Sequence, residues 1–214
     1  MIPAVVPVKA LETSKSRLRP HLGDAAALRL TLAMLGDVLE ALLGTRGLGP
    51  VAVVTPDADV ARAAQAAGAE ALLRPDPGLN AAVDGAAAQL EPAGPLLVVL
   101  GDVAGVRSAE VEVLLAALDD VGGRGVALAP ASDGGTSALL RIPAHCIDSR
   151  FGAGSAKAHR ALAEREGVAF REIALPSLAL DIDEPDDLDA FVRSDSGGTH
   201  TRTLLRELGW KLRK

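Results

Sequence analysis

Short apolar runs alternate with helix-patterned segments along almost the whole chain, and this alternation limits the available folds more than any other feature. The β-branched run Ile2–Val8 reads as a buried strand, and Val51–Thr55, Ala71–Leu73, Leu96–Leu100, Gly125–Ala129, Ser137–Ile142 and Val168–Ile173 read likewise. Between them, Gly23–Leu43, Asp57–Ala67, Leu79–Leu90, Ser108–Asp120, Ser155–Glu166 and Pro185–Val192 carry helical spacing or helix boundary signals. Ser108 is expected to cap its helix, Pro185 to open one, and Gly68 and Pro92 to stop theirs. Leu178–Ile182 reads as extended, Arg193–Thr199 as flexible by composition, and Leu204–Leu208 as a short closing helix. Strands alternating with helices predict a single-domain α/β/α sandwich of three layers around a mostly parallel sheet. Right-handed crossovers make it Rossmann-like, with the very apolar Leu96–Leu100 near the centre.

Composition removes several functions. The 214 residues, 49% of them hydrophobic, suit one large domain over 1–192 with a C-terminal extension over 193–214. Aromatic residues make up 2% and the net charge is −6, with no dense Lys/Arg cluster, so neither base stacking nor a basic groove is available for nucleic acid. The single cysteine, Cys146, forms no intrachain disulfide and suits a buried apolar position in a reducing cytoplasm. No secretory leader is expected, and no apolar run approaches a membrane span.

Three carboxylates stand where buried segments are expected to end. Asp102 closes Pro95-Leu-Leu-Val-Val-Leu-Gly-Asp, and Asp181 and Asp183 follow Leu178-Ala-Leu. Carboxylates at the C-terminal ends of strands in an open α/β sheet face the ligand crevice, and residues at i and i+2 of an extended segment share a side. Three oxygen ligands suit a hard cation such as magnesium, which in turn binds substrate phosphates.

Three further stretches have the chemistry for anions. Lys9, Lys15, Arg17 and Arg19 follow the first strand, where doubly wound folds hold phosphates and these cations could clamp a triphosphate, although a generic basic stretch is more often a solvated loop. No GxGxxG or GxxxxGK[ST] motif is present. In Pro77-Gly-Leu-Asn80, the Asn80 amide offers a donor and an acceptor for a base edge or ribose, or a helix cap. Asp133-Gly-Gly-Thr136-Ser137 and Phe151-Gly152-Ala-Gly154-Ser155 place hydroxyls and free amides beside element starts, an anion-binding arrangement within the Gly/Ser-rich stretch Ser132–Ser155. His21, His145, His159 and His200 lack metal-ligand spacing, and no nucleophile elbow occurs.

In order and spacing, VPVKALETSKSRL, TLAMLGDVL, PGLNAAV, GDVAGVR, DGGTSALL, FGAGS and LALDIDEPDDL resemble the phospholactate guanylyltransferase family, over about Val5 to Phe191. That family includes the phosphoenolpyruvate guanylyltransferases of coenzyme F-420 biosynthesis. The resemblance implies a nucleotidyltransferase fold akin to molybdenum-cofactor guanylyltransferases. It implies transfer of GMP from GTP to a three-carbon phosphoacid, with release of pyrophosphate. It implies magnesium on Asp102, Asp181 and Asp183, and the phosphoacid on Thr136, Gly152 and Ser155. Lys9, Lys15 and Arg17 match the basic segment expected at the nucleotide phosphates, with Lys15 at the catalytic centre, and Asn80 matches the nucleotide-side loop. The chain departs from the family's Asp-Leu-Pro at Asp102-Val103-Ala104, where the turn loses its fixed φ. A different nucleotidyltransferase and a non-catalytic nucleotide sensor stay open as alternatives, as do the identity of the phosphoacid and a homodimer built on the segment from Thr199.

Overall fold

The computed structural model describes residues 1–90 and 93–213, so the expected helix stop at Pro92 lies outside the described residues. Its strands are β1 (Ile2–Pro7), β2 (Leu48–Thr55), β3 (Glu70–Leu73), β4 (Leu96–Val99), β5 (Gly125–Pro130), β6 (Thr136–Ile142) and β7 (Ala169–Glu172). They form one sheet in the order β3-β2-β1-β4-β6-β5-β7, with β4 at its middle. β1 runs parallel to β2 and β4, β2 to β3, and β5 to β7. β6 alone is antiparallel to both neighbours, because residues 131–135 are too short a link for a crossover helix.

The helices are α1 (Arg19–Leu22), α2 (Asp24–Leu43), α3 (Ala58–Ala66), α4 (Leu79–Leu90), α5 (Ser108–Ala116), α6 (Ser155–Arg165), α7 (Pro185–Arg193) and α8 (Thr199–Glu207). Strand side chains alternate between faces, and the two cores follow from that. Ala4, Val6, Leu97 and Val99 pack with Leu35, Leu39 and Leu42 of α2, Val60 of α3 and Leu114 of α5. Val5, Leu96 and Val98 pack with Val83 of α4 and Leu162 and Ala163 of α6. A third cluster joins Leu30 and Met34 of α2 to Leu188 and Phe191 of α7 and Leu204 of α8.

Chain direction fixes where a ligand crevice lies. From β1 the chain moves outward to β2 and β3; from β4 it moves to the other half of the sheet. Between β1 and β4 is therefore the topological switch point, and the segments leaving both strands open there.

Three local expectations are corrected. Leu178–Ile182 forms no strand: Pro176–Leu178 is a 3-10 turn, and the segment beyond it is held by Ser132 N–H to the Ala179 carbonyl and Ile182 N–H to the Asp102 carbonyl. Ser108 does not cap α5, because Arg107 occupies that position and the Ser108 hydroxyl donates to the Ala41 carbonyl at 2.7 Å, tying α5 to α2. The stretch read as flexible is instead wrapped around one guanidinium. Arg202 donates to the carbonyls of Phe191, Ser194, Ser196 and Gly197 and stacks 4.4 Å over the Phe191 ring.

That close wrapping needs a glycine. Gly198 has φ +95°, and a Cβ there would lie 2.4 Å from the Phe191 ring and 2.9 Å from the Ala104 carbonyl oxygen. Gly198→Ala is expected to destabilise the fold by about 2 to 3 kcal/mol, combining overpacking with left-handed strain. Urea unfolding measures this, and a loss under about 0.5 kcal/mol, the range of a neutral surface change, contradicts the packing described.

Candidate active site

The basic segment after β1 is a structured strap, not a solvated loop. Asp57, which caps α3 through the amides of Asp59 and Val60, also accepts from Leu11 N–H at 2.9 Å. The Ser14 hydroxyl lies 2.8 Å from the Leu11 carbonyl and 3.0 Å from Thr31 Oγ1 on α2. Arg19 binds the carbonyls of Leu11, Glu12 and Ser14, so its charge closes the strap and is not directed at a ligand.

Lys15 is the strap's apex. Its φ of +48° is unusual for a residue with a side chain. The result is an ammonium 3.0 Å from Asp102 Oδ2 and 2.7 Å from Asp183 Oδ1, on a side chain only 6% exposed. Burial works to lower the lysine pKa, but the Asp102 and Asp183 charges outweigh it and hold the pKa above the usual value. Asp183 moves the other way: burial would raise its pKa, and Lys15 draws it below the normal carboxylate range. Lys15 is therefore a fixed cation at the switch point.

Asp181 has no such cationic partner among the described residues. Burial, followed by the charges of Asp102, Asp133 and Asp183, pushes its pKa up to about 6. Asp102 Oδ1 is buried without a hydrogen-bond partner among the described residues. An orphaned carboxylate oxygen and a crowded carboxylate with no cationic partner among the described residues both favour a second cation at this point. The donor set fits a hard ion, which keeps waters and substrate phosphates in its shell and needs only one or two carboxylates. The carboxylates do not form a closed cage. Among the described residues, the one acid/histidine group with ligand atoms within 4.8 Å of each other is Asp37, Glu40 and His200. Asp37 there already accepts from the amides of His200 and Thr201 at the start of α8.

Lys9, Lys15, Arg17, Asp102, Thr136, Gly152, Asp181 and Asp183 all line one cavity of about 430 Å³. Arg17 is exposed and paired with Glu184 at 2.6 Å; Lys9 is exposed, and its charge is felt at Asp183. Asn80 is placed differently from its expected role. Its carbonyl oxygen accepts from Phe151 N–H at 2.7 Å and its amide donates to the Phe151 carbonyl at 3.2 Å, so it anchors the 151–155 loop to α4. Leu79 and Ala82 line the cavity there instead.

That loop opens α6 with Gly154 in the left-handed region at φ +68°. The amides of Gly152, Ala153 and Gly154 have no acceptor among the described residues, whereas Ser155 N–H bonds the Gly152 carbonyl. Ser155 also turns its hydroxyl onto Thr136 Oγ1 at 2.9 Å rather than into the cavity. Ser155 itself does not line the cavity, and its hydroxyl supports Thr136, which does. Sequence reading missed Arg74 in the cavity, whereas Asp133 and Ser137, the latter with a buried hydroxyl unpartnered among the described residues, lie in the stretch it had marked for anions. It also set aside His159, although spacing four residues on from Ser155 puts the two on one helix face.

A switch-point cavity between a fixed cation, crowded carboxylates and free amides is built to hold anionic groups together, and the sheet around it is that of a nucleotidyltransferase. A solved nucleotidyl transferase from Methanothermobacter aligns with a TM-score of 0.67 at 18% identity, covering 97% of this chain and 99% of that one. Residues 2–214 match the family described as Guanylyl transferase CofC like, and the chain belongs to that family. Relatives agree over nearly full length. Phosphoenolpyruvate guanylyltransferase of Sphaerobacter thermophilus is 40% identical over 92% of this chain and 98% of its own. 3-phospho-D-glycerate guanylyltransferase of Phenylobacterium zucineum is 37% identical over 97% of each.

Proposed function

We propose that the protein transfers GMP from GTP to a small phosphoacid, with phosphoenolpyruvate as the favoured acceptor, in coenzyme F-420 biosynthesis. The observation that carries the reading is one cavity lined by Lys15, the three carboxylates, and Gly152 and Ala153, whose amides have no acceptor among the described residues. The family and the named relatives support the nucleotide and the class of acceptor. Among the described residues no helix is long and apolar enough to cross a membrane.

In this reading an oxygen of the acceptor phosphate bonds to the α-phosphorus of GTP. The bond from that phosphorus to the bridging oxygen breaks, and pyrophosphate leaves with the electron pair. The acceptor is already an anion at neutral pH, so no protein nucleophile or general base is required. Catalysis then consists of positioning and charge neutralisation. Magnesium on Asp102, Asp181 and Asp183 would supply charge neutralisation between the two phosphate groups. Lys15, locked by two carboxylates, presents a cation that needs no reorganisation. Lys9 and Arg17, on the open side, meet the triphosphate. The Gly152–Gly154 amides and the Thr136 hydroxyl orient the phosphoacid.

Mass spectrometry of parallel reactions with GTP, magnesium and each of phosphoenolpyruvate, 2-phospho-L-lactate and 3-phospho-D-glycerate tests this. The expected result is pyrophosphate release with one dominant guanylylated acid, that of phosphoenolpyruvate. GTP binding without pyrophosphate release in any reaction would replace the enzyme with a nucleotide sensor.

A further inference from the structure

His159 is fully buried on α6 and touches the cavity only through another residue. Two groups lie within hydrogen-bond distance of its ring nitrogens, and the Ser155 backbone also favours a proton on the ring. The backbone N–H of Arg150 donates to Nε2 at 2.9 Å, and Nδ1 lies 3.1 Å from Thr136 Oγ1. A nitrogen that accepts from an amide carries no proton, so in the neutral ring the proton sits on Nδ1. The ring is neutral because burial, aided by Arg141 and Arg150, holds its pKa down to about 4. Nδ1 therefore donates to Thr136. Phe151 packs edge-on at 5.2 Å between ring centres and fixes the imidazole plane.

Thr136 Oγ1 thus receives two hydrogen bonds, from His159 Nδ1 and from the Ser155 hydroxyl. Both its lone pairs are used, and its own hydrogen has no acceptor among the described residues. Thr136 is 2% exposed, and it lines the cavity.

We propose that His159 is a positioning residue that, with Ser155, makes the Thr136 hydroxyl an obligatory hydrogen-bond donor toward the phosphoacid. A free threonine hydroxyl rotates and both donates and accepts; this one is committed before substrate arrives. The polarity suits an anionic acceptor, which offers only lone pairs, and disfavours a ligand presenting a donor at this point. The proposal rests on the reading of Thr136 as a phosphoacid contact, and the experiment separates the two.

Steady-state kinetics on three variants supply the test. Thr136→Val removes the donor. His159→Gln keeps an acceptor near Nε2 for Arg150 but places no donor beside Thr136. His159→Asn places an amide nitrogen where Nδ1 lies. Thr136→Val and His159→Gln are each expected to raise KM for the phosphoacid about tenfold, the loss of one oriented hydrogen bond to a charged group, with KM for GTP unchanged. His159→Asn recovers most of that loss, and the Thr136→Val/His159→Gln pair is no worse than Thr136→Val alone. If Thr136→Val leaves KM unchanged, the substrate contact itself is overturned. If Thr136→Val raises it and His159→Gln does not, the role of His159 alone is overturned. Nitrogen-15 NMR of the unaltered protein is a readout independent of variant folding. It should show a protonated Nδ1 and a bare Nε2 from about pH 6 to about pH 9, and the opposite tautomer overturns the proposal.

Discussion

Asp181→Asn is expected to lower guanylyl transfer on the order of a thousandfold while making the metal-free fold more stable at neutral pH. The activity loss follows from removing the proposed cation ligand and its charge from the point where, in the proposed reaction, two phosphate groups approach, a scale typical of lost electrostatic stabilisation in an active site. The stability gain follows from the same crowding. Burial and the charges of Asp102, Asp133 and Asp183 raise the Asp181 pKa to about 6, so the folded protein holds a proton that the unfolded chain has released. The protonated fold is therefore favoured below the unfolded pKa of about 4, and stability is lost as pH rises from there through about 6. Asparagine carries no charge and escapes that loss. Melting temperatures in chelator should favour the variant at pH 8 and converge with the parent near pH 4. A variant that melts lower at pH 8, or that releases pyrophosphate near the parental rate, contradicts the assignment.

A function that strains its own fold in this way is only partly visible in sequence. The strands were legible because runs such as Val51–Thr55 and Leu96–Leu100 are short, apolar and bounded by turn residues. The acids were legible because Asp102 follows such a run, and Asp181 and Asp183 precede an evident helix start at Pro185. The segment carrying Asp181 was misread because Leu178-Ala-Leu has strand composition, while its backbone partners are loops rather than a sheet edge. The Lys15 site joins residues as far apart as Lys15 and Asp183 through an unusual φ, and neither a long-range pairing nor a dihedral leaves a local pattern. Arg202 shows the converse, since composition alone made residues 193–199 look loose until one guanidinium satisfied their carbonyls. His159 lacks any metal or triad spacing, and its meaning depends on which ring nitrogen faces an amide.

The largest loss of stability is expected at Asp84, away from the cavity floor. Arg141 on β6 is 1% exposed, and its one carboxylate partner among the described residues is Asp84 at 3.1 Å. Its Nη1 also reaches the Ile147 carbonyl at 2.9 Å, while Nε and Nη2 are buried without partners there. Asp84→Ala strands a guanidinium in the core. The expected loss is about 3 kcal/mol, the low end for breaking a buried pair, because Asp84 is 41% exposed and water can reach the gap. Arg141→Met in the same chain should recover much of it, since a buried cation replaced by an apolar side chain of similar length no longer needs a partner. Urea unfolding of the two single variants and the double variant reads this directly, and additive losses would contradict the coupling. The effect extends to the site. Asp84 also accepts from the Ser149 hydroxyl at 2.6 Å and its amide at 3.2 Å, and Asn80, one helical turn earlier on α4, holds Phe151. α4 thus sets the path of the chain into the Gly152–Gly154 amides. Asp84→Ala should then raise KM for the phosphoacid more than KM for GTP, whereas a simple loss of folded protein would lower the apparent rate and leave both unchanged.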